Sequence, residues 1–334
     1  GRFFARIGSG GTLDFEMDLD IEGIEYSLRG LYTPGDSFVF TGGHGVDGRV
    51  YQSRSGDILF SLRGRSIPVP LRSDRGTLTF RLEGIYTSTD QWELRLQRIQ
   101  LDGARFLLTQ AAGRLEVEGS ADPTGVTLSA IRYEDPVSQL RGKGSVKWQS
   151  LVPPLVAVNA RLESTQGEER YELSGRFDDG EIASTVEAVR VPFPRLGVDG
   201  IRGGVDLAAR ARGEPGNPRI SFTIESNEAG VATEELTFLG NGVYSEELVE
   251  VRQLAVGYST YDLAINDFVI DREEQTVNAA VNLENSEGNR ETSLSGEFSL
   301  DYELPELLDQ TLMEELRATG VLTMQGFRPV AGGD

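Results

Sequence analysis

The chain has 334 residues, 38 % apolar and 25 % charged, which is globular and long enough for one large core or two ordinary ones. Its net charge of -21, from 53 acids against 32 bases, excludes a nucleic-acid binder and docking of the outer surface on an anionic bilayer. The absence of cysteine excludes a disulfide framework, a thiolate zinc site and a thiol nucleophile, and is in keeping with a bacterial periplasm or surface.

The sequence opens Gly1-Arg2-Phe3-Phe4, with no initiator methionine, signal peptide or stretch of 18 apolar residues. An alternating pattern starts within the first dozen residues and runs to the other end, so a piece of a longer repetitive protein is expected. Leu13, Phe15, Met17, Leu19 and Ile21 interleave with Asp14, Glu16, Asp18, Asp20 and Glu22. Successive strand side chains point to opposite faces, so this segment reads as a strand with one apolar and one acidic face. The alternation returns at Leu78/Phe80/Leu82, Trp92/Leu94/Leu96, Val126/Leu128/Ala130 and Val156/Val158/Ala160/Leu162. It continues at Ile182/Ser184/Val186/Ala188, Val205/Leu207/Ala209/Ala211, Ile220/Phe222/Ile224, Tyr261/Leu263/Ile265 and Val277/Ala279/Val281/Leu283. The pattern predicts an antiparallel sheet with one dry face.

Many runs close on an apolar residue, a polar residue and a glycine. Leu28-Arg29-Gly30, Leu62-Arg63-Gly64, Leu82-Glu83-Gly84, Val117-Glu118-Gly119, Leu140-Arg141-Gly142, Leu173-Ser174-Gly175, Ala211-Arg212-Gly213 and Leu294-Ser295-Gly296 are such phrases. Glycine inside a strand marks a bulge, a bend or a close backbone approach, and repeated bends curl a sheet. Proline pairs at Ile67-Pro68-Val69-Pro70, Pro153-Pro154 and Val191-Pro192-Phe193-Pro194 are expected at sheet edges or crossings, because proline cannot donate to a ladder. None has the composition of a linker, so residues 1–303 read as one continuous body. From Pro305 to Ala318, Leu308, Leu312 and Leu316 recur every four residues, which predicts a short amphipathic helix over 304–318 as a cap or crossing. A final strand and tail occupy 319–334.

The chemistry-bearing motifs are few. The lone histidine, His44, lies in Thr41-Gly42-Gly43-His44-Gly45-Val46-Asp47-Gly48, a single copy of the start of a calcium-binding repeat that works only in tandem. It reads as a turn. A triad lacks its nucleophile motif and a histidine-rich metal site its ligands. Acid pairs are explained as solvated strand faces, as at Asp14 to Glu22, or as turns such as Asp178-Asp179-Gly180. No P-loop, dinucleotide fingerprint or nucleophile elbow occurs, and the chain reads as a non-enzyme without cofactor or metal.

What remains is the apolar face, which must be buried by a second sheet, by closure, or by an apolar ligand. Small residues at inward positions, among them Ala130, Ala160, Ser184, Ala188, Ala209, Ala211 and Ala279, leave room on a curled sheet. The expected lining for acyl chains is Leu13, Phe15, Met17, Leu19, Leu78, Phe80, Trp92, Leu94, Val126, Leu128, Val158, Ile182, Val186, Val205, Leu207, Phe222, Leu263, Val277 and Val281.

The stretch Gly203-Gly204-Val205-Asp206-Leu207-Ala208-Ala209-Arg210-Ala211-Arg212-Gly213-Glu214-Pro215-Gly216-Asn217-Pro218-Arg219-Ile220 resembles the TamB/AsmA-like envelope proteins, as does Gly242-Val243-Tyr244-Ser245-Glu246-Glu247-Leu248-Val249-Glu250-Val251. Leu173-Ser174-Gly175-Arg176-Phe177 and Leu294-Ser295-Gly296-Glu297-Phe298 share the style. The resemblance implies an all-β, elongated, repetitive antiparallel sheet curled into an open U-shaped groove, the β-taco. It further implies a periplasmic bridge in a diderm bacterium, anchored in the inner membrane. Such a bridge carries phospholipid between membranes, or assists outer-membrane protein assembly with a BamA-like barrel reached through regions outside this chain. The alternative is a cell-surface adhesin or β-solenoid with a sealed core. A carbohydrate-active enzyme would need clustered aromatics and a convergent acid pair.

Overall fold

The structure, a computed structural model, describes residues 2–21, 24–35, 37–70, 75–106, 112–151, 154–246, 248–271, 276–287, 290–301, 322–325 and 330–331. Strands succeed one another along the chain: β1 (Arg2–Ile7), β2 (Leu13–Ile21), β3 (Ile24–Thr33), β4 (Ser37–Gly42), β5 (Asp47–Gln52) and β6 (Ile58–Pro70). Then come β7 (Arg75–Ser88), β8 (Gln91–Ala104), β9 (Gly113–Asp122), β10 (Gly125–Glu134), β11 (Gln139–Leu151) and β12 (Pro154–Ser164). After them stand β13 (Arg170–Asp178), β14 (Glu181–Pro192), β15 (Ile201–Arg202), β16 (Gly204–Gly213), β17 (Arg219–Val231) and β18 (Glu234–Tyr244). The last are β19 (Leu248–Tyr258), β20 (Tyr261–Asp271), β21 (Thr276–Glu287), β22 (Arg290–Asp301), β23 (Leu322–Gln325) and β24 (Val330–Ala331). Among the described residues the fold is all-β, with 24 strands in antiparallel ladders that do not close into a barrel. Among the described residues the only helical elements are short 3₁₀ turns, at Ser9–Gly11, Gly43–Gly45 and Phe193–Leu196. The helix expected over 304–318 lies outside the described residues.

Contacts divide the chain into two units, each described by itself: residues 1–172 with 194–197, and residues 173–193 with 198–334. In the first unit β1 to β12 form an antiparallel meander in which each strand pairs with its chain neighbours. In the second, β14 pairs with β16, and β16 to β22 continue as a meander closed by β23 and β24 against β22. Each alternating segment of the sequence is a strand or part of one.

Bulges set the details. The register shifts between Gly64 and Ile67, between Leu128 and Ile131, between Ala188 and Val191 and between Asn266 and Val269. Three of these carry a non-glycine residue in the left-handed region, namely Ser66 (φ 51), Arg190 (φ 53) and Asp267 (φ 51). A bulge adds a residue without inverting the rest of the strand, so apolar side chains before and after it stay on one face. Tight turns obey ordinary chemistry: Asp179 (φ 50) and Gly180 (φ 83) form the two-residue link between β13 and β14.

Pro68 and Pro70 stand at a sheet edge, one of the two places expected for the prolines. They lie inside β6, opposite Thr77 and Arg75 of β7, not at a crossing. The ladder of β5 reaches only residues 58–63 of β6, so beyond it β6 has one ladder partner among the described residues and the missing N–H groups have no ladder to complete. The Tyr26 hydroxyl donates to the Pro68 carbonyl at 2.6 Å.

Candidate functional site

In an antiparallel ladder, residues directly opposite each other share a face, so the register reads out the rows that cross the sheet. One row in the first unit runs Leu13, Tyr32, Phe38, Val50, Phe60, Gly84, Leu94, Ala121, Val126, Val146, Val158. Beside it runs Phe15, Gly30, Phe40, Gly48, Leu62, Leu82, Leu96, Gly119, Leu128, Gly144, Ala160. Beyond the bulges a third row runs Gly64, Phe80, Ile99, Val117, Ile131, Gly142, Leu162. Every position in them is apolar or glycine.

The second unit has the same construction. Val186, Ala209, Phe222, Gly242, Val251 and Phe268 form one row. Ala188, Leu207, Ile224, Gly240, Leu254, Ile265 and Val281 form another, and Ala211, Ile220, Tyr244, Val249, Ile270 and Val277 a third.

Within each unit the register puts the expected lining residues on one face. Leu13, Phe15, Met17, Leu19, Leu78, Phe80, Trp92, Leu94, Val126, Leu128 and Val158 share it in the first unit, and Ile182, Val186, Val205, Leu207, Phe222, Leu263, Val277 and Val281 in the second. Most are half-buried, shielded sideways by their row neighbours and open above. Tyr32 keeps 41 % of its surface exposed and Val186 39 %, whereas Val205 is fully buried. An apolar face left half-wet over successive strands is the feature that calls for a ligand or a cover.

Glycines of the repeated phrases, and Gly48 with them, have a physical role that the sequence leaves open. A methyl group added at Gly30 would overlap ring atoms of Phe15, one at Gly48 the ring of Phe40, and one at Gly84 the ring of Phe60. At Gly64 it would meet the Phe80 ring and the Ile67 side chain. In each case the ring lies flat over the glycine directly across the ladder, which covers the bare backbone and keeps the ring low. Phe15 and Phe38 then stack at 5.2 Å, and Phe38 meets Phe40 at 5.7 Å. Gly119 and Gly142 differ, because a side chain there would strike backbone oxygens of Thr127 and Arg161. Gly213 sits at φ 110.

The opposite face is laced with ion pairs. Arg29 reaches Glu16 at 2.6 Å, Arg63 reaches Asp47 at 2.5 Å, Arg98 reaches Glu116 at 2.7 Å, Arg114 reaches Asp102 at 2.6 Å and Arg132 reaches Glu118 at 2.7 Å. Each pair bridges adjacent strands. Partners of this kind hold the Arg114 and Arg132 guanidinium groups above their ordinary range, chiefly through the hydrogen bonds to Asp102 and Glu118.

One buried polar cluster stands apart, in the first unit. Arg195, with no exposed surface, ion-pairs with Asp135 and with Glu169 at 3.0 Å, and donates to the Ser138 hydroxyl at 2.8 Å. Its guanidinium lies 5.4 Å from the centre of the Phe106 ring and 5.5 Å from that of Tyr133. Burial opposes its charge, but Asp135 and Glu169 outweigh that and raise its pKa. Tyr171 donates to Glu169 at 2.7 Å, and burial first and Glu169 second push its phenol up. Tyr133 donates to the Ala104 carbonyl at 3.1 Å, and burial together with Asp135 pushes its pKa up to about 12. All the charged groups have partners, so this is a clasp tying two loops together. Its only local mark in the chain is the proline-rich Val191-Pro192-Phe193-Pro194 beside Arg195.

His44 occupies the 3₁₀ turn between β4 and β5 at φ 56, exposed, and Asp47 of the same stretch is engaged by Arg63. Among the described residues no group of acids and histidines could hold a metal, and no helix is long and apolar enough to cross a membrane. The chain matches no protein-family model, no curated protein and no solved structure. The resemblance to TamB/AsmA-like proteins therefore rests on the repeated phrases alone.

Proposed function

We propose that the chain is a non-enzymatic binder of phospholipid acyl chains, part of a periplasmic bridge that passes lipid between the inner and outer membranes. The observation that carries this reading is the set of unbroken apolar rows, half-exposed and free of ionised side chains, on one face of each unit. Each methylene moved from water onto such a face gains up to about 0.8 kcal/mol when fully buried. Because a row repeats the same kind of side chain from strand to strand, an acyl chain sliding along it exchanges one contact for an equivalent one and meets no large barrier. The headgroup stays in water. A sealed-core adhesin or solenoid would bury residues such as Tyr32 and Val186, which stand open here.

The test is extraction and mass-spectrometric analysis of lipid co-purifying with the protein, repeated on Leu128→Asp, Leu207→Asp and a control, Thr127→Asp. Leu128 lies between Gly119 and Gly144 in its row, so an aspartate there stands alone on a bare floor. Thr127 is the exposed neighbour on the opposite face, between Ser120 and Ser145. Phospholipid on the parent and on Thr127→Asp, with loss on Leu128→Asp and Leu207→Asp, is expected. A parent chain free of lipid and unable to take up a fluorescent phospholipid refutes the proposal, as does full retention by both apolar-face variants.

A further inference from the structure

The apolar face of the first unit has two unlike rims, one at each end of its strands. Beside the β10–β11 turn runs the row Ile67, Leu78, Leu101, Leu115, Tyr133 and Leu140. Ile67 is 7 % exposed, Tyr133 3 % and Leu140 1 %. The Arg195 guanidinium stands over the Tyr133 ring and is bonded to Asp135 and Ser138 of that turn. Tyrosine hydroxyls at this end are engaged inside the protein, Tyr133 with the Ala104 carbonyl and Tyr26 with the Pro68 carbonyl. This rim is closed.

The opposite rim, at the strand ends that carry the β5–β6 and β7–β8 turns, is open. Ile58, Tyr86 and Trp92 lie side by side on the apolar face of β6, β7 and β8. Tyr32 is the last residue of that face on β3, and Trp148 stands at the same end of β11. Ile58 and Tyr86 keep 39 % and 37 % of their surface exposed. Among the described residues no group accepts a hydrogen bond from the Tyr32 or Tyr86 hydroxyl or from the Trp92 indole N–H. Thr87 donates to Asp57 at 2.8 Å and so ties the two turns together, and Ser55 donates to the same carboxylate. On the β5–β6 turn Arg54 is exposed and, among the described residues, makes no ion pair.

Tyrosine and tryptophan have an apolar body and a polar tip, and they settle where an apolar layer meets water. Three unengaged donors and a cation along such a boundary match an anion rich in acceptor oxygens, as a phosphodiester flanked by carboxylic esters is. We infer that this open rim is the headgroup site of the first unit, where a glycerophospholipid sets its phosphodiester and ester oxygens against Tyr32, Tyr86, Trp92 and Arg54. Its acyl chains point away, toward the closed rim. This placement rests on the lipid reading above and adds to it the direction of the lipid and the groups that hold its polar end. Trp92 and Leu101 are nine residues apart on β8, so the rims stand roughly 30 Å apart along an extended strand.

Both tryptophans of the chain stand at the open rim, so their fluorescence reports on that rim alone. The full chain is loaded from phosphatidylcholine vesicles carrying a nitroxide either on the headgroup or near the end of one acyl chain. It is then separated from the vesicles, and the bound lipid is counted by mass spectrometry. At equal bound lipid the headgroup nitroxide is expected to quench the tryptophans at least twofold more than the chain-end nitroxide. Moving the reporter to the closed rim, with Leu101→Trp in a Trp92→Phe/Trp148→Phe background, reverses that order. Tyr32→Phe/Tyr86→Phe keeps both rings and lowers phospholipid affinity by up to about tenfold, the scale of two exposed hydrogen bonds. Its affinity for N-phenylnaphthylamine, an apolar dye without a headgroup, stays unchanged. Equal or stronger quenching of the parent by the chain-end nitroxide overturns the inference and leaves the lipid reading standing, as does undiminished phospholipid affinity in the tyrosine variant. A parent chain that takes up no lipid refutes the lipid reading, and the headgroup site falls with it.

Discussion

Replacing Gly30 by alanine puts two effects in opposition, and their sizes decide the outcome. Glycine in a strand costs conformational entropy, so alanine gains about 0.5–1 kcal/mol where its side chain fits. At Gly30 it does not fit, because the new methyl group would overlap the Phe15 ring. The ring must lift, losing its seat and its 5.2 Å stack on Phe38, and overpacking of this kind costs about 1–3 kcal/mol. Gly30→Ala should therefore destabilise the first unit by about 0.5–2 kcal/mol after the entropy gain. Phe15→Leu should remove most of that penalty, so the double-mutant cycle returns a coupling of about 1 kcal/mol. The control is Gly175→Ala, where a methyl group would meet Ser184 Cβ at 3.4 Å and only a distant carbonyl beyond, so the change should be neutral or stabilising. Both tryptophans, Trp92 and Trp148, lie in the first unit, so urea unfolding monitored by tryptophan fluorescence reads that unit alone. Calorimetry serves for Gly175→Ala. Equal effects at Gly30 and Gly175, or no coupling with Phe15, would refute the ring-on-glycine account.

Removing Arg195, as in Arg195→Met, leaves Asp135 and Glu169 buried without their cation and should cost about 3–5 kcal/mol, measurable as a fall in the urea midpoint of the tryptophan signal. By contrast Arg98→Gln, which breaks an exposed pair with Glu116, should cost less than about 1 kcal/mol and less still in high salt, by the same assay. The phenols give a pH signature. Tyr133 has its folded pKa raised from 10 to about 12, so the folded state holds the proton more tightly than the unfolded one. Its contribution, about 1–2 kcal/mol once screening by solvent is allowed for, is therefore complete below pH ~10 and is lost as pH rises from there towards ~12. Tyr171 shifts in the same direction, and Tyr133→Phe should flatten the alkaline limb of stability against pH.

Parts of this structure can be read directly from the chain. Leu13 to Ile21 alternates without interruption because β2 has neither bulge nor glycine, and its apolar residues are the set that shares a face. Val205 to Ala211 is equally legible. The strands that are hard to read are those whose period slips: β6 changes register between Gly64 and Ile67, and β11 replaces its inward side chains by Gly142 and Gly144. The glycine phrases are visible, but their meaning is not, since a seat at Gly84 is defined by Phe60 on another strand. Arg195 is hidden for a similar reason. Its partners Asp135 and Glu169 stand 60 and 26 residues away, and a charge in a proline-flanked turn carries no local mark of burial.

The same locality that makes the rows legible makes the lipid test clean. Within a meander each strand is held by its immediate neighbours, so stability approximates a sum of pairwise ladder terms and a defect stays where it is put. A charge at Leu128 faces Gly119 and Gly144, not a packed interior, so it need not be forced into a dry core and can be hydrated from the open side. Its cost to folding is then the loss of the partial burial Leu128 has in the native chain, about 1–2 kcal/mol and confined to β9 to β11. Its effect on a passing acyl chain is different in kind, because the chain must cross a hydrated charge that it cannot go around within that row. An ion on the path strips away methylene contacts at one step while leaving every other step unchanged. Loss of lipid with retention of the unfolding transition therefore separates a broken path from a broken fold. If Leu128→Asp instead lowers lipid content only in proportion to the protein unfolded, the apolar rows are holding the sheet together and nothing travels along them.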